Sequence, residues 1–315
     1  HSAIAATYSL DLVSLLMAPM SMALKEMENT EEMLQDPMAL LEALRRTTGR
    51  FGVFCQRGRI AIPRIESLLY SYLEPAVVEV EAQREGGVFH PKIWLLRFEA
   101  DEAPPIYRCL CLSRNLTEDR SWDTAMVLEG ELADRTNAYA RNHPLGDFIA
   151  SLPEQSTMPV PEDVEKHVGL MEDEVRRVNF EVPDPFRDEN PGDLAFGPAG
   201  LNGVSDDGPD PSGCKRQMVI SPFLSDSQVR KLAEHGDENV LISRVDVLDG
   251  LADATYEALT ESGTDIFVLD EGAENPDEVT GYNESETEGT EEEQDVEEAT
   301  QRFSGLHAKL YLLEH

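Results

Sequence analysis

Two triplets of the form His-x-Lys recur in similar surroundings: His90 and Lys92 in VFHPKIWLLRF, and His307 and Lys309 in GLHAKLYLLEH. Each opens an apolar, β-rich run. In a strand, residues i and i+2 share a face, so each imidazole is expected beside an ammonium. That sets a group able to exchange protons near neutrality next to a fixed positive charge. The chain holds 7 His and 6 Lys. Random placement gives about 0.1 such triplets in this length, so two in matching contexts are informative. After the first triplet comes LSRNLT, which carries Ser113 and Asn115, again at i and i+2. Two adjacent strands would bring His90, Lys92, Ser113 and Asn115 together. No lysine has Asp or Glu two positions before it, so the D/E-x-K pattern of metal-dependent nucleases is missing.

The elements that must position these residues are legible as alternating strands and helices. AIAATYS at 3–9 reads as a buried strand, and 10–28 as a helix that Pro19 kinks or splits. Residues 36–47 read as a helix with Pro37 in its first turn, followed by strands at RFGVFCQ and PAVVEVEA. The first His-x-Lys strand, a loop at EADEAPP, and strands at YRCLCLSRN and TAMVLEGEL follow. From 133 to about 180 the spacing is helical, and 182–213 is an irregular Pro/Gly/Asp-rich stretch. Then come a strand at QMVISPF, a helix at 225–235 stopped by Gly236, a strand at NVLISR, a helix at 249–262 and a strand at TDIFVLD. Residues 271–300 are strongly acidic with few large apolar side chains, so a disordered insertion is expected there. GLHAKLYLLE returns to strand.

The two halves correspond. Tyr8 to His90 is 82 positions and Ser221 to His307 is 86, with the same order of strands and helices between. This predicts an internal duplication of an α/β unit. The expected domains are a first lobe at 1–133, a helical connection at 134–181, an irregular linker at 182–213 and a second lobe at 214–315.

His-x-Lys followed by Ser-x-Asn, once per lobe, resembles the signature of the phospholipase D superfamily. The resemblance covers the architecture of most of the chain but only a handful of specific residues. It departs from the family where Arg97 and Phe98 stand in the neighbourhood of a common Asp, and where Leu112 replaces the Gly before Ser-x-Asn. It implies an α/β fold of two similar phospholipase D-like lobes, each a mixed β-sheet flanked by helices. No Ser-x-Asn follows Lys309 before His315, so the second lobe is expected to be incomplete, this chain by itself is expected to hydrolyse phosphodiesters poorly or not at all, and both chain ends read as cuts. The implied chemistry is metal-independent phosphodiester cleavage through a phosphohistidine, with no cofactor. One imidazole attacks phosphorus and the other protonates the leaving oxygen. His90 is assigned as nucleophile and His307 as acid, an order that can be reversed. Lys92, Lys309, Ser113 and Asn115 would bind the phosphate oxygens. A carboxylate is expected behind His90, Asp123 first and Glu129 as the alternative.

Net charge is −36, from 62 acidic and 26 basic residues, which points to a halophilic, haloarchaeal source and away from a broad basic surface. The four cysteines form no C-x-x-C, fitting a reducing compartment, and the apolar start carries Asp11 and Pro19 without a basic leader. A cytoplasmic protein without membrane insertion is expected. The substrate expected is nucleic acid, with helicase or restriction-system proteins as companions. Phospholipid headgroup hydrolysis or transfer, or a non-catalytic nucleic-acid-binding subunit, are the alternatives.

Overall fold

The computed structural model describes residues 1–25, 37–61, 63, 68–84, 86–118, 121–187, 194–201, 208–269 and 305–315. The acidic stretch at 271–300, and the ends of the expected helices at 26–28 and 36, lie outside these residues. The chain divides into two compact units, His1–Glu118 with Ala125–Gly208, and Asp119–Thr124 with Pro209–His315.

The first unit is built on β1 (Ser2–Thr7), β2 (Leu10–Asp11), α1 (Leu12–Lys25), α2 (Pro37–Thr47), β3 (Phe51–Gln56), β4 (Ile60–Ala61), β5 (Val77–Val80), β6 (Ile93–Ala100), β7 (Ala103–Leu112), β9 (Ala125–Leu132), α3 (His143–Glu154), α4 (Glu162–Val175) and β10 (Val178–Phe180). Seven strands form one mixed sheet in the order β10-β9-β7-β6-β1-β3-β5. β1, β3 and β5 run parallel, and the rest are joined antiparallel. β1 is apolar at nearly every position because both its faces are covered. Ala3 and Ala5 face one core with Phe51 and Val53, while Ile4 and Ala6 face the other with Phe54 and Leu95.

That second core is closed by α3 and α4 through Leu145, Ile149, Leu152, Val168 and Met171. The helices expected as a connection over 134–181 therefore pack onto the first sheet. Arg97 on β6, itself buried, reaches Glu174 on α4 at 2.7 and 3.3 Å, and the Tyr107 hydroxyl donates to the same carboxylate at 2.5 Å. The helical pattern ends before Val178. Val178 and Phe180 alternate inward with Asn179 outward, and the segment pairs with β9 as an edge strand instead. The expected split at Pro19 does not occur, since α1 runs through it as one helix. Asp11 caps this helix, accepting from the Val13 and Ser14 amides.

The second unit comprises β8 (Ser121–Trp122), β11 (Arg216–Ile220), α5 (Asp226–Ala233), β12 (Glu238–Ser243), α6 (Val245–Asp249), α7 (Asp253–Glu261), β13 (Asp265–Val268), β14 (Gly305–Leu306) and β15 (Leu310–Glu314). Four strands pair in the order β13-β12-β11-β15. β11, β12 and β13 are parallel and β15 is antiparallel to β11. Val219 and Leu241 bury against Val229, Leu232, Leu248 and Leu259 of the helices. The helix expected over 249–262 breaks at Gly250. The Asp226 carboxylate accepts from the Ala252 amide and the Thr255 hydroxyl, anchoring the start of α7. Among the described residues no helix is long and apolar enough to cross a membrane.

Candidate active site

Both His-x-Lys triplets occupy the same place in their sheets. In the first unit the chain β6-β1-β3-β5 is antiparallel, then parallel, then parallel, and β15-β11-β12-β13 repeats that order and those directions. Ala6 pairs with Ile93 and Ile220 pairs with Leu310, so Lys92 and Lys309 each stand immediately before the strand that pairs with the opening strand. The triplets are not strand residues, as the i, i+2 reading expected. They are loop residues at the strand entry. In the first copy Pro91 has no N–H to give to a ladder, and pairing starts at Ile93.

In the first unit the Leu112 amide donates to the Lys92 carbonyl at 2.8 Å, continuing the β6–β7 ladder by one residue. This sets the end of β7, with Ser113 and Asn115 beyond it, at the end of the sheet where His90 and Lys92 lie. Lys92 Nζ is 3.2 Å from Nδ1 and 3.1 Å from Nε2 of the exposed His90. An ammonium nearly equidistant from both ring nitrogens lies over the imidazole rather than in its plane. Ser113 is buried, and the buried Oδ1 of Asn115 accepts no hydrogen bond among the described residues. A buried amide oxygen without a partner is uncommon, and here it belongs to a side chain at the mouth of the hairpin.

In the second unit His307 is buried and its amide, like that of Ala308, donates to the Trp122 carbonyl, at 2.9 and 2.8 Å. Lys309 Nζ donates to the His307 carbonyl at 3.1 Å and lies 5.3 Å from the centroid of the Phe223 ring. Desolvation lowers the Lys309 ammonium below the ordinary lysine value although part of the side chain meets solvent, and the Asp123 charge opposes that shift. Asp123, expected behind His90, belongs to this second unit, where it accepts from Ser121 Oγ at 2.7 Å. The alternative, Glu129, is engaged by Arg108 at 2.6 and 2.9 Å. It pairs opposite Arg108, four residues along β9 from the Ala125–Leu112 pair, or about 13 Å from the site end of the sheet.

No protein-family model matches this chain, and no curated protein matches it. Solved structures do. A mutant of yeast tyrosyl-DNA phosphodiesterase aligns at 12% identity and a TM-score of 0.35, covering 71% of this chain and 46% of the other. A second mutant of the yeast enzyme aligns at 11% and 0.37, covering 84% and 61%. Polyphosphate kinase from Porphyromonas gingivalis aligns at 13% and 0.31, covering 77% and 33%. Each match spans less than two thirds of the other protein. At these scores the likenesses carry no argument about chemistry, which rests on the residues of this chain.

Several residues that hold the first triplet carry no motif. Gln56, the last residue of β3, accepts from the Phe89 amide through Oε1 at 2.8 Å and so tethers the backbone just before His90. Thr7, ending β1, accepts from the Leu116 amide at 3.2 Å and donates to the Ser9 carbonyl at 2.9 Å, fixing the chain beyond Asn115. Its equivalent in the second unit, Ser221, donates to the Phe223 carbonyl at 2.6 Å. The sequence comparison sets Ser221 against Tyr8, whereas the strand registers set it against Thr7, one residue earlier.

Proposed function

We propose that this chain is a phospholipase D-like phosphodiesterase that acts on nucleic acid without a metal ion. The observation that carries the reading is the recurrence of His-x-Lys at one strand entry in two sheets that share a four-strand stretch of the same order and directions. Chance pairs have no reason to fall at equivalent registers. The Ser113 and Asn115 pair at the end of β7 adds polar groups at the first entry.

An imidazole nitrogen of His90 attacks phosphorus, forming an N–P bond as the P–O bond to the leaving group breaks. The departing oxygen takes a proton from a second imidazole, for which His307 is the candidate by topological equivalence. Water then cleaves the N–P bond and regenerates His90. Lys92 and Lys309 offset the charge on the non-bridging oxygens, with Asn115 and Ser113 completing the phosphate contacts. Asp123 acts on the second copy, where its charge helps keep Lys309 protonated.

Hydrolysis of bis(p-nitrophenyl) phosphate and of a labelled oligonucleotide in excess EDTA tests this reading. Activity is expected to persist in the chelator and to fall at least about a thousandfold in His90→Ala. Headgroup release from phospholipid vesicles without oligonucleotide cleavage would reassign the substrate. Oligonucleotide binding that His90→Ala leaves intact, with no hydrolysis of any diester, would make the chain a binding module.

A further inference from the structure

Beside the first His-x-Lys entry lies a cation that the phosphate chemistry above does not use. Arg59 is exposed, and its guanidinium sits 5.2 Å from the centroid of the Tyr8 ring. The same ring lies 4.9 Å from the His90 ring at an interplanar angle of 51°, and 6.0 Å from Lys92 Nζ. One aromatic side chain therefore touches the imidazole and carries two cations. Each cation lies within reach of the same ring, so the two are separated by no more than the sum of those two short distances.

This arrangement is held by backbone, not by chance contact between long side chains. The Leu10 amide donates to the Arg59 carbonyl at 3.0 Å, and β2, which starts at Leu10, pairs with β4, which starts directly after Arg59. The buried Cys55 thiol lies 3.4 Å from the Tyr8 carbonyl and 3.8 Å from the Arg59 carbonyl, beneath both. Burial, with the Glu79 charge adding to it, pushes that thiol up to about 12, so it stays a neutral donor. Thr7 fixes the turn on the other side of Tyr8. Among the described residues Arg59 makes no ion pair, in a chain whose net charge is −36. Where carboxylates are abundant, an arginine left to an aromatic face and to solvent remains available to an anion.

We infer that Tyr8 and Arg59 form a subsite for a second phosphate, adjacent to the one that Lys92 binds. This deepens the phosphodiesterase reading and rests on it. It narrows the substrate to a chain of consecutive phosphodiesters, as in a nucleic-acid strand, over a lipid with a single diester. Arg59 grips the neighbouring phosphate by a planar fork, and the Tyr8 ring holds the guanidinium, His90 and Lys92 in one array.

The test compares wild type with Arg59→Gln, an exposed site where the fold is not at risk. A fluorescein-labelled single-stranded oligonucleotide is titrated by anisotropy over a range of salt, and KM is measured on the oligonucleotide and on bis(p-nitrophenyl) phosphate. The variant is expected to bind the oligonucleotide about tenfold more weakly. Its slope of log affinity against log salt should be shallower by about 0.7, the loss of one phosphate contact on a single strand. KM on the single diester should rise less than about threefold. An unchanged slope and affinity, or an equal loss on both substrates, overturns the subsite. Absence of hydrolysis of either substrate by wild type overturns the phosphodiesterase reading instead, while the salt slope still reports whether Arg59 meets a phosphate.

Discussion

Replacing Gln56 tests whether the scaffold, and not the motif alone, makes the first site. Its side-chain oxygen accepts from the Phe89 amide at 2.8 Å, one residue before His90. Phe89 is buried, so Gln56→Met, similar in volume but without the acceptor, leaves that N–H unsatisfied. The loss of one neutral hydrogen bond, with part of the amide's desolvation left uncompensated, is about 1–2 kcal/mol. A domain with some 5–15 kcal/mol of stability tolerates this, and urea unfolding should show a lower midpoint with an unchanged slope. The effect at the site is expected to be larger. Without the tether the backbone carrying His90 can shift, and a displacement near 1 Å costs about a hundredfold in rate. Hydrolysis of bis(p-nitrophenyl) phosphate should therefore fall about 10–100-fold, measured well below the unfolding midpoint. Gln56→Glu keeps an acceptor and should retain more of the rate than Gln56→Met. A Gln56→Met protein that loses stability as expected yet turns over within twofold of wild type would refute the positioning argument.

Three further outcomes follow from the buried and partly desolvated charges. Glu174→Ala strands the Arg97 guanidinium, whose remaining partner Glu99 is largely exposed, and leaves Tyr107 without its acceptor. A loss of about 3 kcal/mol in urea unfolding is expected, most of it recovered when Arg97→Met, Glu174→Leu and Tyr107→Phe are combined; a loss under about 1 kcal/mol would show that the network is not holding α4 to the sheet. Desolvation holds Lys309 below its ordinary value of 10.5, so the unfolded chain binds more protons between the lowered value and 10.5, and this residue's contribution makes stability rise with pH across that window. Asp123→Asn removes the charge that opposes the shift, so the Lys309 titration, followed by NMR at its Cε, should move further down; an upward move would contradict the pairing.

Sequence reading reached what is local and missed what is distant. The apolar run of β1 and the repeated strand order were legible because burial on both faces writes a continuous signal. The proximity of Ser-x-Asn to His-x-Lys was legible because β6 and β7 are joined by a short turn at 101–102. That turn is tighter than the expected loop, since Pro104 and Pro105 lie in β7 beside an irregularity in the ladder. Asp123, expected behind His90, follows Asn115 closely along the chain, and its segment pairs with Gly305 and Leu306, a partner no local pattern announces. Gln56 and Arg59 were equally silent: one contacts a backbone amide and the other an aromatic ring, and neither spacing nor composition marks them. Asp226 shows the same limit, capping a helix that begins far along the chain from it.

Trapping the covalent intermediate tests the central claim most directly. Rapid quenching into base preserves a phosphoramidate, and mass spectrometry of the digested protein locates it. A phosphoryl adduct on His90 is expected during diester turnover, and none in His90→Ala. An adduct on Ser113 or any residue outside the two His-x-Lys triplets, or full turnover by His90→Ala, would contradict it.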